Sequence, residues 1–352
     1  MNERIAVVGF AQVPQARETT GTTDGVEMLV PIFTEVLAAT GLPRREVGFW
    51  CSGSSDYLAG RAFSFVAAVD AIGAVPPIVE SHVEADAAWA FYEGWVKIRT
   101  GQADTAVVYG FGTSSAGDLR RVLALQLDPY TVAPLWPDPV GIAALQARAG
   151  LDAGLWSEKE MAEVAARSRA DAADNPYAQV TDPIDAETLL DAPYVADPLR
   201  AHDCPPTTDG AAVVVLAADP VARDLCERPA WITGLEHRID SPVLGARELH
   251  RCPSAAAAAA AAGVDGVQVA ELHAPFTSQE LLLRRELGLP DGARVNPSGG
   301  PLCGNPMFAA GLIRIGEAAA RVWDGSAERV LAHATNGQAL QQNLVCVLEG
   351  RA

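Results

Sequence analysis

The sequence predicts an α/β fold, because short apolar runs alternate along the chain with longer segments of helical periodicity. The apolar runs are rich in β-branched residues and are bounded by Gly, Asp or Pro, as buried strands usually are. The predicted strands are Ile5–Phe10, Val47–Cys51, Thr105–Tyr109, Ala211–Leu216, Val267–Leu272, Val330–His333 and Leu344–Leu348. The predicted helices are Gly25–Thr40, Ala85–Thr100, Ser157–Ala173, Ser278–Leu287 and Ala309–Trp323.

The length and net charge of the chain limit its domain organisation and the classes of ligand that it can bind. A chain of 352 residues suits two similar halves packed as one body. The net charge of −18 argues against general nucleic-acid binding, because phosphates are neutralised by Lys and Arg. Arg120 and Arg121 are one candidate for a local basic patch, and a solvated helix face is the alternative interpretation of this pair.

The cysteines and the hydropathy indicate a cytoplasmic protein. The six cysteines are scattered without a CxxC pair, which favours reduced thiols over a zinc site or a disulfide framework. We therefore expect no metal. The N-terminal residues read as a strand, so we expect no signal peptide. No run of about 20 apolar residues predicts a membrane span.

Two helix-to-strand turns repeat the same pattern. Gly101-Gln102-Ala103-Asp104 and Gly325-Ser326-Ala327-Glu328 each follow a predicted helix, precede an apolar strand and are followed by a further Gly. A duplicated α/β unit explains this sequence repeat, and chance similarity between two turns is the alternative. We predict an N-terminal half of residues 1–225 and a C-terminal half of residues 226–352. The Pro-, Asp- and Trp-rich stretch at about 113–198 is predicted to be an insertion with a binding role.

Four ordered blocks carry a resemblance that spans nearly the whole chain. They are Asp209-Gly210-Ala211-Ala212, His273-Ala274-Pro275-Phe276, Asn296-Pro297-Ser298-Gly299-Gly300 and Gly304-Asn305-Pro306-Met307-Phe308-Ala309-Ala310-Gly311. The sequence thereby resembles the thiolase superfamily, in particular the branch of the sterol carrier protein thiolases and the bacterial lipid-transfer proteins. That resemblance implies a five-layered αβαβα sandwich of two related halves, with a coenzyme A thioester as substrate and no other cofactor.

The chain departs from the thiolase pattern where that family has its nucleophilic Cys, at the N-terminus of a buried helix. Counting back from Gly101 places this position at Ala85 or Asp86, and no cysteine lies nearby. Covalent acyl transfer is therefore not expected. Asp86 has two open interpretations, a general acid or base and a structural acid at the helix N-terminus.

Two further catalytic positions of the family are also altered. Asn305 stands where the family has its second His, and Asn does not shuttle protons but donates hydrogen bonds to an oxyanion. The loop at about Gly337–Asn343, which corresponds to the family's Cys-x-Gly loop, has no Cys. His273 is retained, and with Asn305 it is predicted to hold a substrate carbonyl. A structural His at a strand end is the alternative.

Other chemistry-bearing residues rank lower. His82, His202 and His333 fall at strand ends or in loops near the inferred site. Cys303 and Cys346 match no catalytic position and are interpreted as buried thiols. Tyr57 and Tyr92 lie near active-site segments, and packing or surface roles are favoured for both, although some relatives in this branch are aldolases that use tyrosines.

Three functions remain open at this point. The preferred one is a degenerate thiolase-like subunit of a heteromeric complex that cleaves a carbon–carbon bond in a lipid or steroid acyl-CoA. The alternatives are an active retro-aldolase on a β-hydroxyacyl-CoA and a non-catalytic acyl-CoA- or lipid-binding protein. The resemblance implies a dimer with a paralogous thiolase-like chain through the strand at about Ile78–Val83, and a small zinc-ribbon and OB-fold partner.

Overall fold

The computed structural model describes residues 4–19, 25–59, 63–73, 75 and 77–351. Its strands are β1 Ile5–Gln12, β2 Phe49–Gly53, β3 Glu80–Val83, β4 Thr105–Thr113, β5 Tyr194–Ala196, β6 Leu199–Arg200, β7 Asp209–Ala218, β8 Ala230–Ile239, β9 Val269–Leu272, β10 Arg294–Val295, β11 Arg329–Asn336 and β12 Gln342–Glu349. Its α-helices are α1 Gly25–Thr40, α2 Asp56–Ala59, α3 Ser64–Ile72, α4 Ala87–Arg99, α5 Leu119–Leu125, α6 Pro139–Asp152, α7 Glu158–Asp171, α8 Ala186–Leu190, α9 Val221–Leu225, α10 Pro253–Ala262, α11 Thr277–Glu286 and α12 Ala310–Trp323. The α/β class predicted from the sequence is therefore confirmed.

Ten of these strands form one hydrogen-bonded sheet whose two halves repeat the same strand order. The order is β1-β7-β4-β2-β3 on one side and β8-β12-β11-β9-β10 on the other. In each half, the second strand along the chain pairs parallel with the third and fourth, and the fifth pairs antiparallel with the first and fourth. The halves join where β1 pairs with β8 at Ala6–Trp231 and Val7–Ala230. The predicted domain bounds at residues 225 and 226 stay a prediction.

Three buried apolar clusters show how helices cover the two half-sheets. One cluster joins α4 and α12 to the inner faces of both halves and includes Val108 and Val330. The next residues along the same strands, Tyr109 and Leu331, point the other way into two outer clusters formed with α1 and α3 and with α10 and α11. The layers therefore run helix, sheet, helix, sheet, helix.

The repeated turn of the sequence lies at equivalent places in the two halves. One copy connects α4 to β4 and the other connects α12 to β11, and β4 and β11 are the fourth strands of their halves. Gly101 and Gly325 both have φ of +74°. Glycine adopts this left-handed conformation without a Cβ penalty, which explains its presence at the end of both central helices.

Two strands of the large sheet, β10 and β8, escaped prediction. Strand β10 has only two residues, and β8 carries Glu236 and Arg238, so its sequence lacks the apolar run that marked the predicted strands. Gly234 interrupts it further, because a Cβ there would lie 2.1 Å from the backbone oxygen of Ala262 in α10. The predicted strands are present with shifted ends. The first was extended by two residues to Gln12, and Val47–Cys51 is observed as Phe49–Gly53.

The stretch at about 113–198 contains helices α5 to α8, of which α6 and α7 pack against α11. The proline-rich segment that breaks the sequence pattern starts α6, where Pro139 occupies the first turn and Asp138 caps it by accepting from Gly141 N. Within the described ranges, no helix has the length and apolar character needed to cross a bilayer.

Candidate active site

A cavity of about 520 Å³ lies between the inserted helices and the carboxyl end of β11. Helices α5 and α6 form one wall, and the remaining wall comes from the turns at 205–207, 275–276, 305–308 and 335–342. The lining is mainly apolar, with amides and hydroxyls interspersed. Among the described residues that line it, Arg120 is the only titratable side chain, and it forms an ion pair with Asp138.

His273 contacts Asn305, which lines this cavity, and the catalytic roles expected for both residues stay predictions. The Nε2 atom of His273 is 3.1 Å from Oδ1 of Asn305, and Asn305 itself lines the cavity. The backbone N–H of Thr335 faces Nδ1 of His273 at 3.5 Å. Because a backbone N–H only donates, Nδ1 is unprotonated and Nε2–H donates to Asn305.

The contacts from Thr335 to His273 and from His273 to Asn305 fix the orientation of the Asn305 amide. Its Oδ1 accepts from His273, so its Nδ2 is the atom left over. Among the described residues, nothing accepts a hydrogen bond from Nδ2. Asn305 is held from behind, since its backbone N donates to Oγ1 of Thr208 at 3.0 Å. The arrangement offers the cavity one positioned amide donor, which suits a thioester oxygen or the enolate derived from it.

Burial keeps His273 neutral. It lowers the pKa of the imidazole to about 3, helped by His333 and Arg314 nearby. A neutral imidazole with this low pKa does not act as a general base near pH 7. His273 is therefore suited to orienting Asn305, and its predicted contact with a substrate carbonyl stays a prediction.

Asp86 occupies the predicted helix N-terminus but is not among the residues that line the cavity. It caps α4, and its Oδ1 accepts from Ala88 N while its Oδ2 accepts from Gly311 N in α12, both at 2.9 Å. Burial raises the pKa of this carboxyl to about 6, against the backbone N–H groups that lower it. The geometry fits the structural interpretation, a carboxylate shared by the N-termini of the two central helices.

The Asn296-to-Gly300 block takes part in a network of buried hydrogen bonds in the C-terminal half. Asn296 accepts from Leu272 N at 2.6 Å and donates to Glu280 at 3.0 Å. Glu271 accepts from Ser298 and from Arg314 at 2.7 and 2.8 Å. These contacts join the buried polar groups into one network, although Nε of Arg314 has no partner among the described residues. We infer that this motif holds the strand end that carries His273.

The remaining histidines lie outside the cavity lining. His82 contacts Ser52 at 3.0 Å and stacks on Phe65. His333 lies fully buried in β11 and contacts Asn343 at 2.9 Å, and burial lowers its pKa to about 4. His202 is also buried, beside Asp203. Each has a structural contact in the fold.

No thiol of the described residues is poised as a nucleophile. Burial raises the pKa of Cys303 to about 12, and its residue is 1% exposed. Cys346 is fully buried in β12 and its pKa is raised as well. Tyr57 is 60% exposed, and Tyr92 packs edge-on against His237 with ring centroids 4.7 Å apart. None of these residues lines the cavity.

Sequence reasoning missed Gln279 and Thr335, which both line the cavity. Gln279 lies three residues after Phe276 of the His-x-x-Phe block, in the first turn of α11. Thr335 lies at the end of β11, two residues after His333. A search for polar residues directly downstream of a strand-to-helix block finds the first of them. Such a search does not find Thr335, because its place at the cavity depends on how β11 pairs with its neighbouring strands.

Comparison with known proteins places these features in a family. No protein-family model matches the chain. It is 26% identical to an acetyl-CoA acetyltransferase of Methanothermobacter thermautotrophicus, over 70% of this chain and 71% of that protein. It is 23% identical to sterol carrier protein 2 of Gallus gallus, over 95% of this chain and 70% of that protein.

Two further comparisons concern lyase chemistry. The chain is 30% identical to the 17-hydroxy-3-oxo-4-pregnene-20-carboxyl-CoA lyase of Mycobacterium tuberculosis, over 38% of each protein. A solved Ltp2-ChsH2(DUF35) aldolase superposes with a TM-score of 0.79 at 20% identity and covers 99% of this chain and 98% of that one. The predicted thiolase fold and the resemblance to the lipid-transfer branch are thus confirmed, and the chain is thiolase-like.

Proposed function

We propose that this thiolase-like chain is the acyl-CoA-binding subunit of a heteromeric complex that cleaves a carbon–carbon bond in a lipid or steroid thioester. The observation that carries the proposal is the composition of the cavity. It presents an oriented amide donor at Asn305, while its described lining contains no thiol, carboxyl, imidazole or phenol. In this proposal the cavity holds a thioester carbonyl, and its described lining contains no proton shuttle.

The substrate class is supported by the relatives and by the cavity. One relative is named as a lyase of a steroid carboxyl-CoA. The cavity, at about 520 Å³ and mainly apolar, is large enough for a bulky acyl group. Arg120 at its wall is the cation available to the phosphates of coenzyme A, in competition with Asp138.

A partner chain supplies the missing chemistry in this proposal. The solved structure with the same fold is named for two components, Ltp2 and ChsH2. Strand β3 lies at the edge of the large sheet and leaves one side free for pairing. This edge is the place where we expect a paralogous chain to dock.

The first experiment is to determine the composition of the native assembly and its ligand binding. Light scattering with mass spectrometry of the subunits gives the composition, and calorimetry with hexanoyl-CoA gives the affinity. We expect a second chain to co-purify and hexanoyl-CoA to bind. Cleavage of a β-hydroxyacyl-CoA by a homomeric assembly would replace the proposal with an active retro-aldolase.

Two other outcomes also decide the matter. Binding by the isolated chain, with no partner and no turnover in the cell extract, would favour a non-catalytic acyl-CoA-binding protein. Failure of the native assembly to bind hexanoyl-CoA would remove the basis of the proposal altogether.

A further inference from the structure

A buried amide oxygen in the cavity wall has no hydrogen-bond partner. Among the described residues, nothing donates to Oε1 of Gln279, a side chain that is 3% exposed and lines the cavity. A buried carbonyl oxygen without a partner destabilises the fold. At this position in the cavity wall, the remaining sources of a donor are a bound ligand and the water that it would displace.

The orientation of the Gln279 amide follows from a chain of contacts that ends on backbone carbonyls. Nε2 of Gln146 lies 3.0 Å from the carbonyl oxygen of Leu249 and 3.4 Å from that of Ala339. Carbonyl oxygens only accept, so this atom of Gln146 is its nitrogen and its Oε1 points away. Oε1 of Gln146 then accepts from Nε2 of Gln279 at 2.9 Å. Turning the Gln279 amide over would place two oxygens against each other, so its Oε1 is the unpaired atom.

The cavity consequently has a fixed hydrogen-bonding polarity. Asn305 presents a donor, because its Oδ1 is occupied by His273. Gln279 carries an acceptor, because its nitrogen is occupied by Gln146. Both amides are positioned by buried neighbours, which is how a site discriminates between ligands with and without a matching group. Gln338 also lines the cavity with an unpaired Oε1, but no comparable contacts fix its amide.

We infer that Gln279 is a specificity-determining residue whose Oε1 accepts a hydrogen bond from a donor group of the bound acyl-CoA. This inference rests on the proposed function and names the feature of the ligand that the site recognises. The donor is either a hydroxyl on the acyl chain or an amide N–H of the pantetheine arm. Both present the same chemistry to the oxygen, and a pair of probes separates them.

The test uses the native assembly, with hexanoyl-CoA and β-hydroxyhexanoyl-CoA as probes in calorimetry and chromatography to check that neither is consumed. Gln279→Met keeps the length of the side chain and removes the acceptor. Gln279→Glu retains an acceptor oxygen, and burial favours its protonated form, whose O–H replaces Nε2 as the donor to Oε1 of Gln146. Gln102→Met is the control for the chemical change, because Gln102 is an exposed glutamine that does not line the cavity.

We expect Gln279→Met to weaken binding about tenfold and Gln279→Glu to recover most of the loss, while Gln102→Met stays within about twofold. A loss confined to β-hydroxyhexanoyl-CoA identifies the acyl hydroxyl as the donor, and an equal loss for both probes identifies the pantetheine amide. If the wild type binds the probes and Gln279→Met binds them equally well, or if Gln279→Glu loses as much as Gln279→Met, the inference is wrong while the proposed function stands. Absence of binding by the wild type overturns both.

Discussion

Asp86 and Asn305 stand at two positions that are catalytic in the thiolase resemblance, and the structure treats them differently. Both oxygens of Asp86 accept from backbone N–H groups, one in each central helix. Asn305 has one amide atom held by His273 and the other left without a partner among the described residues. Asp86 is thus fully hydrogen-bonded within the fold, whereas Asn305 lines the cavity. A motif position thus retains a chemical role only where one polar atom stays unpaired.

The largest effect expected from this comparison is on stability. Asp86→Ala leaves the N–H groups of Ala88 and Gly311 buried without partners, and we expect the free energy of unfolding to fall by about 3–4 kcal/mol. Urea unfolding followed by circular dichroism measures it. Asp185→Ala is the matched control, because Asp185 caps α8 at the surface and its loss should lower the free energy of unfolding much less. Equal costs at the two caps would contradict the shared role of Asp86.

The second effect concerns the cavity. Asn305→Leu removes the amide donor, and we expect kcat of the assembled complex to fall about a hundredfold and the affinity for hexanoyl-CoA to fall roughly tenfold. Steady-state kinetics and calorimetry measure these two quantities. Asn336→Leu, at another cavity-lining amide, is the control and should change either value by less than about threefold. An unchanged kcat in Asn305→Leu would remove Asn305 from the oxyanion site.

The third effect is a pH dependence of stability. The pKa values of His273 and His333 are lowered in the folded protein, so protons bind the unfolded chain preferentially below about pH 6.5. Stability is therefore present above the unfolded pKa and is lost as the pH falls through this range. The raised pKa of Asp86 acts in the opposite direction, since its folded form gains a proton near pH 6.

The net result expected is a loss of about 1–2 kcal/mol in the free energy of unfolding between pH 7 and pH 5.5. His333→Gln removes one of the two histidines and should reduce this loss by about 1 kcal/mol. Urea titrations of both proteins at the two pH values measure the difference. An identical pH dependence in the variant would show that His333 is not kept neutral by the fold.

The smallest effect is expected at Cys303. Its thiol is buried and its pKa is raised to about 12, so it is not a thiolate at neutral pH. Cys303→Ser should leave the activity of the complex within about threefold of the wild type. A loss of several orders of magnitude in a correctly folded variant would make Cys303 a nucleophile and would reverse the comparison.

The α/β class was predictable from local pattern, whereas the thiolase fold and the choice of His273 and Asn305 came from the resemblance of the four blocks. Apolar runs mark most strands of the large sheet, and the four blocks place His273 and Asn305 in the correct order. Strand β8 was missed because Glu236, His237 and Arg238 follow one another in it and because Gly234 interrupts its apolar residues. Gln279 was missed because a glutamine carries no pattern of its own, and its significance depends on Gln146, which lies 133 residues away in sequence.

The sequence by itself determined the α/β class, the repeated turn and the absence of a cysteine at the thiolase nucleophile position. These properties depend on residue type and short spacing, which are local. Only the tertiary structure decided that Asp86 bridges two helices and that Asn305 points its donor toward a cavity. The physical reason is that the fate of a buried polar atom depends on which partners the fold brings to it, and those partners come from distant parts of the chain.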